Sequence, residues 1–230
     1  MTDAQQRTHE AQRSILVVAH ARRGDTVEAA ERVIAALRGA GARPVLARDD
    51  LSELEIALPG IGDIAVLGDD VPIEAIELAI VLGGDGTILR AAELVRNGTA
   101  PILGINMGHV GFLAETERDD MDDAVRRVIS RDYRVEERLA LQVRVKDSAD
   151  AVMYETWALN EATVEKASRE RMLEVVIEID GRPLSSFGCD GVVVSTPTGS
   201  TAYNFSAGGP VIWPTVEAIS VVPLSAHALF

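Results

Sequence analysis

The sequence predicts an α/β domain built on a parallel sheet, followed by a smaller domain rich in β-strands. Three observations carry this. Apolar, β-branched runs such as Ile15-Leu16-Val17-Val18 and Ile80-Val81-Leu82 alternate with stretches of helical period as far as Tyr133. Beyond that point, segments such as Leu141-Gln142-Val143-Arg144-Val145 alternate apolar and polar residues, as half-buried strands do. Two glycine-rich stretches also follow directly on apolar runs: Gly83-Gly84-Asp85-Gly86-Thr87, and the longer segment 195–210 after Val192-Val193-Val194.

Taken in order, residues 1–13 read as a mobile polar tail and Ser14 to Ala19 as a buried strand. Asp25 is placed to cap a helix over Thr26 to Arg38, with Glu28 as its capping-box partner. Val27, Ala30, Ile34 and Leu37 then share one face, and Gly39 and Gly41 end the helix. Pro44 to Ala47 is a second strand. Asp49 to Pro72 breaks the alternation: acidic and interrupted by Pro59, Gly60, Gly62 and Gly68, it reads as a long, mobile surface excursion. Alternation resumes with a strand to Leu82, a helix from Thr87 to Arg96, a strand from Pro101 to Ile105, a loop at Asn106 to Gly111 and a helix from Asp120 to Ser130.

A boundary near Arg134 to Glu137 separates a Rossmann-like domain, 14–134, from a β-rich domain of sandwich type, 135–230. Strands are predicted in the latter over Arg138 to Lys146, Trp157 to Val164 and Leu173 to Ile179, with Asp180-Gly181 as a hairpin turn. The stretch from Pro210 to Phe230 closes on apolar residues with no polar tail, and on sequence alone the β-rich domain reads as truncated.

Composition narrows the function. Lys and Arg number 22 against 36 Asp and Glu, a net charge of −14 that argues against a nucleic-acid-binding surface. A nucleotide would have to enter with divalent cations or at a locally positive pocket. No apolar run approaches the roughly 20 residues that span a membrane, and the N-terminus has no signal core. The one cysteine, Cys189, excludes an intrachain disulfide and fits a reducing, cytoplasmic interior.

The glycine loops carry the chemistry. Glycines let backbone amides approach a phosphate that a Cβ would block. A carboxylate fixed among them should repel that phosphate, so Asp85 must either hold a metal or take a proton from an attacking hydroxyl. That points to a kinase. Read singly, Asp85-Gly86 is a common turn pair, Asn160-Glu161 an edge-strand pair and Thr196-Pro197-Thr198-Gly199 a linker. A linker, however, does not carry Tyr203 and Phe205. His20 and His109 have no second His or Cys at a ligand spacing, so no metal site is assigned to the protein's own residues. Cys189 lacks a paired histidine and reads as a small buried residue.

Gly83-Gly84-Asp85-Gly86-Thr87, then Asn160-Glu161, then Asp190-Gly191 leading into Ser195-Thr196-Pro197-Thr198-Gly199-Ser200-Thr201-Ala202-Tyr203-Asn204-Phe205-Ser206-Ala207-Gly208-Gly209-Pro210, resembles the NAD kinase family over nearly all of the chain after the tail. The first motif is shared with lipid kinases; the last is far more specific. The resemblance implies phosphoryl transfer to the 2′-hydroxyl of the adenosine ribose of NAD, with ATP or inorganic polyphosphate as donor and Mg2+ delivered with it. It implies Asp85 as general base, Gly83, Gly84, Gly86 and Thr87 as the phosphate loop, and Arg90 as a cation facing the substrate. Asn160 and Glu161 would hydrogen-bond the adenosine part. Thr201, Ala202, Tyr203 and Ser206 would line the adenine pocket, Asn204 and Phe205 would belong to the NAD site beside them, and Arg171 and Asp190 would contact the rest of the dinucleotide. The family also implies a homodimer or homotetramer. One departure stands out: the position two before Asp190, often basic in the family, is Gly188. A lipid kinase and a nucleotide-binding regulator without turnover are the alternatives, weakened respectively by the net charge and by the presence of Asp85. NAD and NADH both remain open as acceptors.

Overall fold

The computed structural model describes residues 12–20, 24–108, 113–114, 116–168 and 171–228. The chain divides into two compact units, Met1–Val135 and Glu136–Phe230.

In the first unit, strands β1 (Ser14–Ala19), β2 (Arg43–Leu46), β3 (Ala65–Val66), β4 (Ile76–Leu82), β5 (Ile102–Asn106) and β6 (Thr116–Glu117) form one parallel sheet in the order β3-β2-β1-β4-β5-β6. Four helices flank it: α1 (Gly24–Gly39), α2 (Arg48–Ala57), α3 (Asp85–Val95) and α4 (Met121–Ser130). Every residue of β1 is buried because both of its faces are covered. Ile15, Val17 and Ala19 pack with Val33, Leu54 and Val125 of α1, α2 and α4, whereas Leu16 and Val18 pack with Ile88, Ala91 and Val95 of α3. The predicted α/β architecture is therefore present. Its strand order reverses between β1 and β4, where Ala19 pairs with Leu82, so His20 and Gly83 lie side by side at the carboxyl ends of these strands. In open α/β sheets this switch point is where ligands bind.

The irregular excursion expected over Asp49 to Pro72 is corrected. Residues from Arg48 to Ala57 are helical and Ala65–Val66 add an edge strand. Leu51 and Leu54 face the core from α2 and Leu58 from the residue just after it, and Leu54 is fully buried. These apolar anchors stand at helical spacing, hidden among acids. Asp25, expected to precede α1 as its cap, lies in the first turn and accepts the Thr26 N–H (2.9 Å).

Arg13 joins three elements. Its Nε and Nη2 donate side-on to the Glu77 carboxylate on β4 (2.8 and 2.6 Å), and Nη1 and Nη2 also donate to the Ile129 and Val128 carbonyls at the end of α4. These are carbonyls the helix cannot satisfy itself. The Arg13 guanidinium holds the Glu77 carboxyl below the usual glutamate range. A carboxyl depressed by folding contributes stability that is complete above its unfolded pKa, near 4.3, and is lost as pH falls through the lower folded value. Glu77→Gln is thus expected to lower Tm at pH 7 by about 2–4 °C, the effect of roughly 1 kcal/mol in a chain of this size. The gap should close as the pH is taken below 4. Calorimetry at both pH values checks this; a gap independent of pH would assign the loss to packing instead of charge.

The second unit is antiparallel. Strands β7 (Leu141–Lys146) and β8 (Val152–Ala158) form a two-stranded sheet. Strand β9 (Glu161–Glu165) lies in a three-stranded sheet with β12 (Gly191–Ser195) and β13 (Ser220–Leu224). Strands β10 (Leu173–Ile179), β11 (Arg182–Cys189) and β14 (His227–Ala228) form another. Asp180 and Gly181 both have positive φ, 52° and 71°, as a two-residue hairpin of the I′ kind requires. Two expectations change. The single strand expected over Trp157 to Val164 is broken at Leu159-Asn160, where the chain leaves one sheet for another. Ser220–Leu224, not anticipated as a strand, pairs along the whole of β12. No helix among the described residues is long and apolar enough to cross a membrane.

Candidate active site

In the first unit, the Gly83–Thr87 motif is the turn from β4 into α3. Gly84 is the residue before the helix and Asp85 opens it, with the Thr87 and Ile88 amides donating to the Gly84 carbonyl (2.9 and 3.1 Å). The helix therefore begins earlier than its apolar periodicity suggests. The glycines differ in purpose. A Cβ on Gly83 would lie 2.8 Å from the Thr87 Cβ, so this glycine exists to admit the buried Thr87 side chain, whereas Gly84 and Gly86 are exposed with open space around them. Thr87 consequently packs inward, and the face offered to a ligand is Gly84, Asp85 and Gly86. Their amides stand at the positive end of α3, where an anion is favoured.

Asp85 is half-buried. One carboxylate oxygen accepts the Leu113 N–H (3.1 Å) from the loop after β5, which fixes its rotamer. Arg90 is turned toward α2, where Nη1 donates to Oδ1 of Asp50 (2.6 Å), a side chain only 2% exposed. Burial pushes the Asp50 carboxyl up, and the Arg90 guanidinium pulls it back down. His20, at the end of β1, sits 3.8 Å from Glu53 of α2. The switch point is therefore floored by an ion network that the sequence does not reveal, because the acids of α2 mask its helical period. His109 lies outside the described residues.

In the second unit, the Ser195–Pro210 segment forms a 3-10 turn over Thr198–Thr201 and the single helical turn α5 (Tyr203–Ser206). It clamps the Asn160-Glu161 pair. Glu161 stands opposite Ser195 in the β9–β12 ladder. The Thr196 N–H donates to the Asn160 carbonyl (2.9 Å) and its hydroxyl to that of Leu159 (2.5 Å), which is what breaks the strand there. A Cβ on Gly199 would lie 2.6 Å from Asn160 Cα and collide with its carbonyl group. The side-chain oxygens Asn160 Oδ1 and Glu161 Oε2 are buried without a hydrogen-bond partner. Buried polar atoms of this kind cost about 1–3 kcal/mol each and mark places where a ligand completes the bonding. Burial pushes the Glu161 carboxyl up, against the opposing effect of the Tyr203 backbone N–H.

Tyr203 bridges the two ends of β9. Its backbone bonds Glu161 and its hydroxyl donates to Glu165 Oε1 (3.1 Å), which raises the phenol's pKa. Asn204 is fully buried, its amide donating to the Ser200 and Pro210 carbonyls (3.2 and 3.0 Å), so it braces the loop. Thr201 and Ala202 are half-buried, Ser206 and Phe205 are exposed, and Arg171 is exposed just before β10. Asp190 pairs with Lys166, whose ammonium donates to Oδ1 and holds the carboxyl below the aspartate range. Lys166 is not anticipated by the sequence reading. Gly188 leaves the vicinity of Asp190 without a cation from β11, and Lys166 provides one from β9's end. Cys189 is buried, as expected.

Among the described residues no three His, Cys, Asp or Glu side chains converge on one point.

The models for the ATP-NAD kinase N-terminal and C-terminal domains match residues 15–133 and 159–230 respectively. An NAD kinase of Leifsonia xyli subsp. xyli is 64% identical over 220 residues, covering 96% of this chain and 72% of that protein. Yeast NADH kinase, in a crystal structure with NADH, superposes with a TM-score of 0.82 at 26% identity, over 95% of this chain and 67% of the other. An NAD kinase from Archaeoglobus fulgidus, in complex with ATP, gives a TM-score of 0.65 at 27% identity, over 95% and 74% of the two chains. With both domain models matched in order and a relative of that identity, the chain belongs to the NAD kinase family.

Proposed function

We propose that this enzyme transfers the terminal phosphoryl group of ATP to the 2′-hydroxyl of the adenosine ribose of NAD, giving NADP, with Asp85 as general base. The single observation that carries the roles is the placement of Asp85. It is a carboxylate held by the Leu113 amide at the positive end of α3, beside two open glycines at the sheet's switch point. A secondary alcohol is a poor nucleophile until a positioned base takes its proton. The amides of Gly84 and Gly86 then face the donor phosphates, and the charge that spreads over the transferring group is stabilised there. Mg2+, when bound with the donor, supplies the neutralising charge between its phosphates.

The first unit is thus the catalytic domain and the second the NAD-binding domain. Asn160 Oδ1 and Glu161 Oε2 accept hydrogen bonds from the adenine amino group and the ribose hydroxyls, and their lack of partners supports this assignment. Tyr203 stacks on the base. Inorganic polyphosphate, having the same repeating phosphate, is a second donor the α3 terminus suits. A cytoplasmic homo-oligomer is the form inferred for the active protein.

The test is a coupled assay: purified protein with ATP, Mg2+ and NAD, with NADP read by an NADP-specific dehydrogenase, and a parallel reaction with diacylglycerol replacing NAD. NADP formation is expected. Phosphorylation of diacylglycerol alone would replace the proposal with a lipid kinase, and binding of both nucleotides without product would replace it with a regulator.

A further inference from the structure

Asn106 closes strand β5 and is only 2% exposed, yet no step of the phosphoryl transfer uses it. Both ends of its amide are engaged. Oδ1 accepts the Gly108 N–H (3.1 Å), two residues on, and Nδ2 donates to Glu117 Oε2 (3.3 Å), its neighbour in the β5–β6 ladder. A buried amide stands in place of an apolar side chain only where such bonds offset its desolvation.

Between those two bonds runs the connection that reaches Asp85. Strands β5 and β6 are parallel, and a parallel pair usually needs a crossover of about a dozen residues or more. Here the chain leaves β5 at Asn106 and is back in the ladder at Thr116. Asn106 holds both limbs of this short connection, Gly108 on the way out and Glu117 after the return. The returning limb rests closely on β5. A Cβ on Gly104 would lie 2.7 Å from Ile88 Cδ1 and 3.2 Å from Ala114 Cα, so this glycine admits the limb beside α3. Leu113 and Ala114 pack against the cluster that contains Val81 and Ile88. Seated there, Leu113 donates its N–H to the Asp85 carboxylate (3.1 Å). The Gly83 N–H donates to the Ile105 carbonyl (3.0 Å), so the turn that carries Asp85 is also tied to the end of β5.

We propose that Asn106 is a positioning residue for phosphoryl transfer. By fixing both limbs of the β5–β6 connection it sets the Leu113 amide, and through that amide the rotamer in which Asp85 meets the ribose hydroxyl. It acts through Asp85 and not on either nucleotide. A base must stand within about 2.6–3.2 Å of the atom whose proton it takes, and a misplacement of about 1 Å can cost about 10²-fold in rate. This inference rests on the reading of Asp85 as general base.

Steady-state kinetics in two backgrounds tests it. Asn106→Ala is expected to lower kcat about 10²-fold while KM for NAD and for ATP stays within about two-fold of wild type. In the Asp85→Asn background the same substitution should change kcat by less than about two-fold, because a side chain acting only through Asp85 has nothing left to position. An equal loss in both backgrounds, a rise in KM at unchanged kcat, or wild-type kinetics would each overturn the proposal. If Asn106→Ala does not fold, Asn106→Asp keeps the acceptor for the Gly108 N–H but sets two carboxylates against each other at Glu117. Adding Glu117→Gln restores a donor–acceptor pair with its polarity reversed, and most of kcat should return. A double variant no faster than Asn106→Asp alone overturns the proposal. Should Asp85→Asn keep its turnover, the base assignment beneath the inference fails; a lost base beside an indifferent Asn106 sinks the inference alone.

Discussion

Asp85→Asn should lower kcat by about 10²–10⁴-fold, the usual cost of losing a general base, with little change in the affinity for NAD. The substitution is close to isosteric. An asparagine carbonyl can still accept the Leu113 N–H that orients Asp85, so the turn from β4 into α3 should keep its shape. What it cannot do is accept the proton of the ribose hydroxyl. Steady-state kinetics with both substrates saturating, beside direct measurement of NAD binding, separates the two consequences. If the variant kept most of its turnover, Asp85 would not be the base, and the carboxylate would have to be credited with placing the donor. A parallel rise in KM for ATP would point the same way. Gly84→Ala is a useful companion, because nothing lies within 4 Å of where its Cβ would be. Folding should tolerate the methyl group, and any loss of activity then reports on the approach of a phosphate.

The α/β half is readable because its signals are local. β1 shows as a continuous apolar run since both of its faces are covered, and α1 shows through Ala30, Ile34 and Leu37 on one face. The features that escape a sequence reading depend on distant partners. Asp50 looks like a surface acid in the sequence, and only Arg90, forty positions on, makes its burial tolerable. The break between β8 and β9 follows from Thr196 taking both the Leu159 and Asn160 carbonyls, bonds that no window around Asn160 contains. Lys166 likewise has meaning only beside Asp190. The motif residues of the second glycine stretch are conspicuous for a reason the sequence cannot state. Ser195, Thr196, Thr198, Ser200 and Asn204 are buried, and the hydroxyls of Ser195, Thr196 and Ser200 and the Asn204 amide NH2 bond within the loop and to Leu159, Asn160 and Ile212.

Gly199→Ala should be the most damaging single methyl group in the second unit. Its Cβ would fall deep inside van der Waals contact with the Asn160 backbone, 2.6 Å from Cα and closer still to the carbonyl group. Backbone cannot rotate away as a flexible side chain can. The Asn160 carbonyl is also fixed by the Thr196 N–H, and the Gly199 N–H itself donates to the Thr196 hydroxyl (3.1 Å). Relief therefore requires the 3-10 turn and the Asn160-Glu161 pair to separate. Overpacking of a tight interior costs typically about 1–3 kcal/mol, which in a chain of this size lowers Tm by roughly 2–12 °C. The functional loss should exceed the loss of stability, because the atoms displaced include Asn160 Oδ1 and Glu161 Oε2, two of the side-chain oxygens that lack partners among the described residues. Affinity for NAD and for adenosine should fall together, while ATP binding, proposed above for the α3 terminus in the other unit, should be spared. Thermal melts with and without NAD, and titrations with adenosine and ATP, measure each part. A Gly199→Ala protein that melts normally yet still binds adenosine would show that the turn can shift freely, and the clamp on Asn160 would lose its place in recognition.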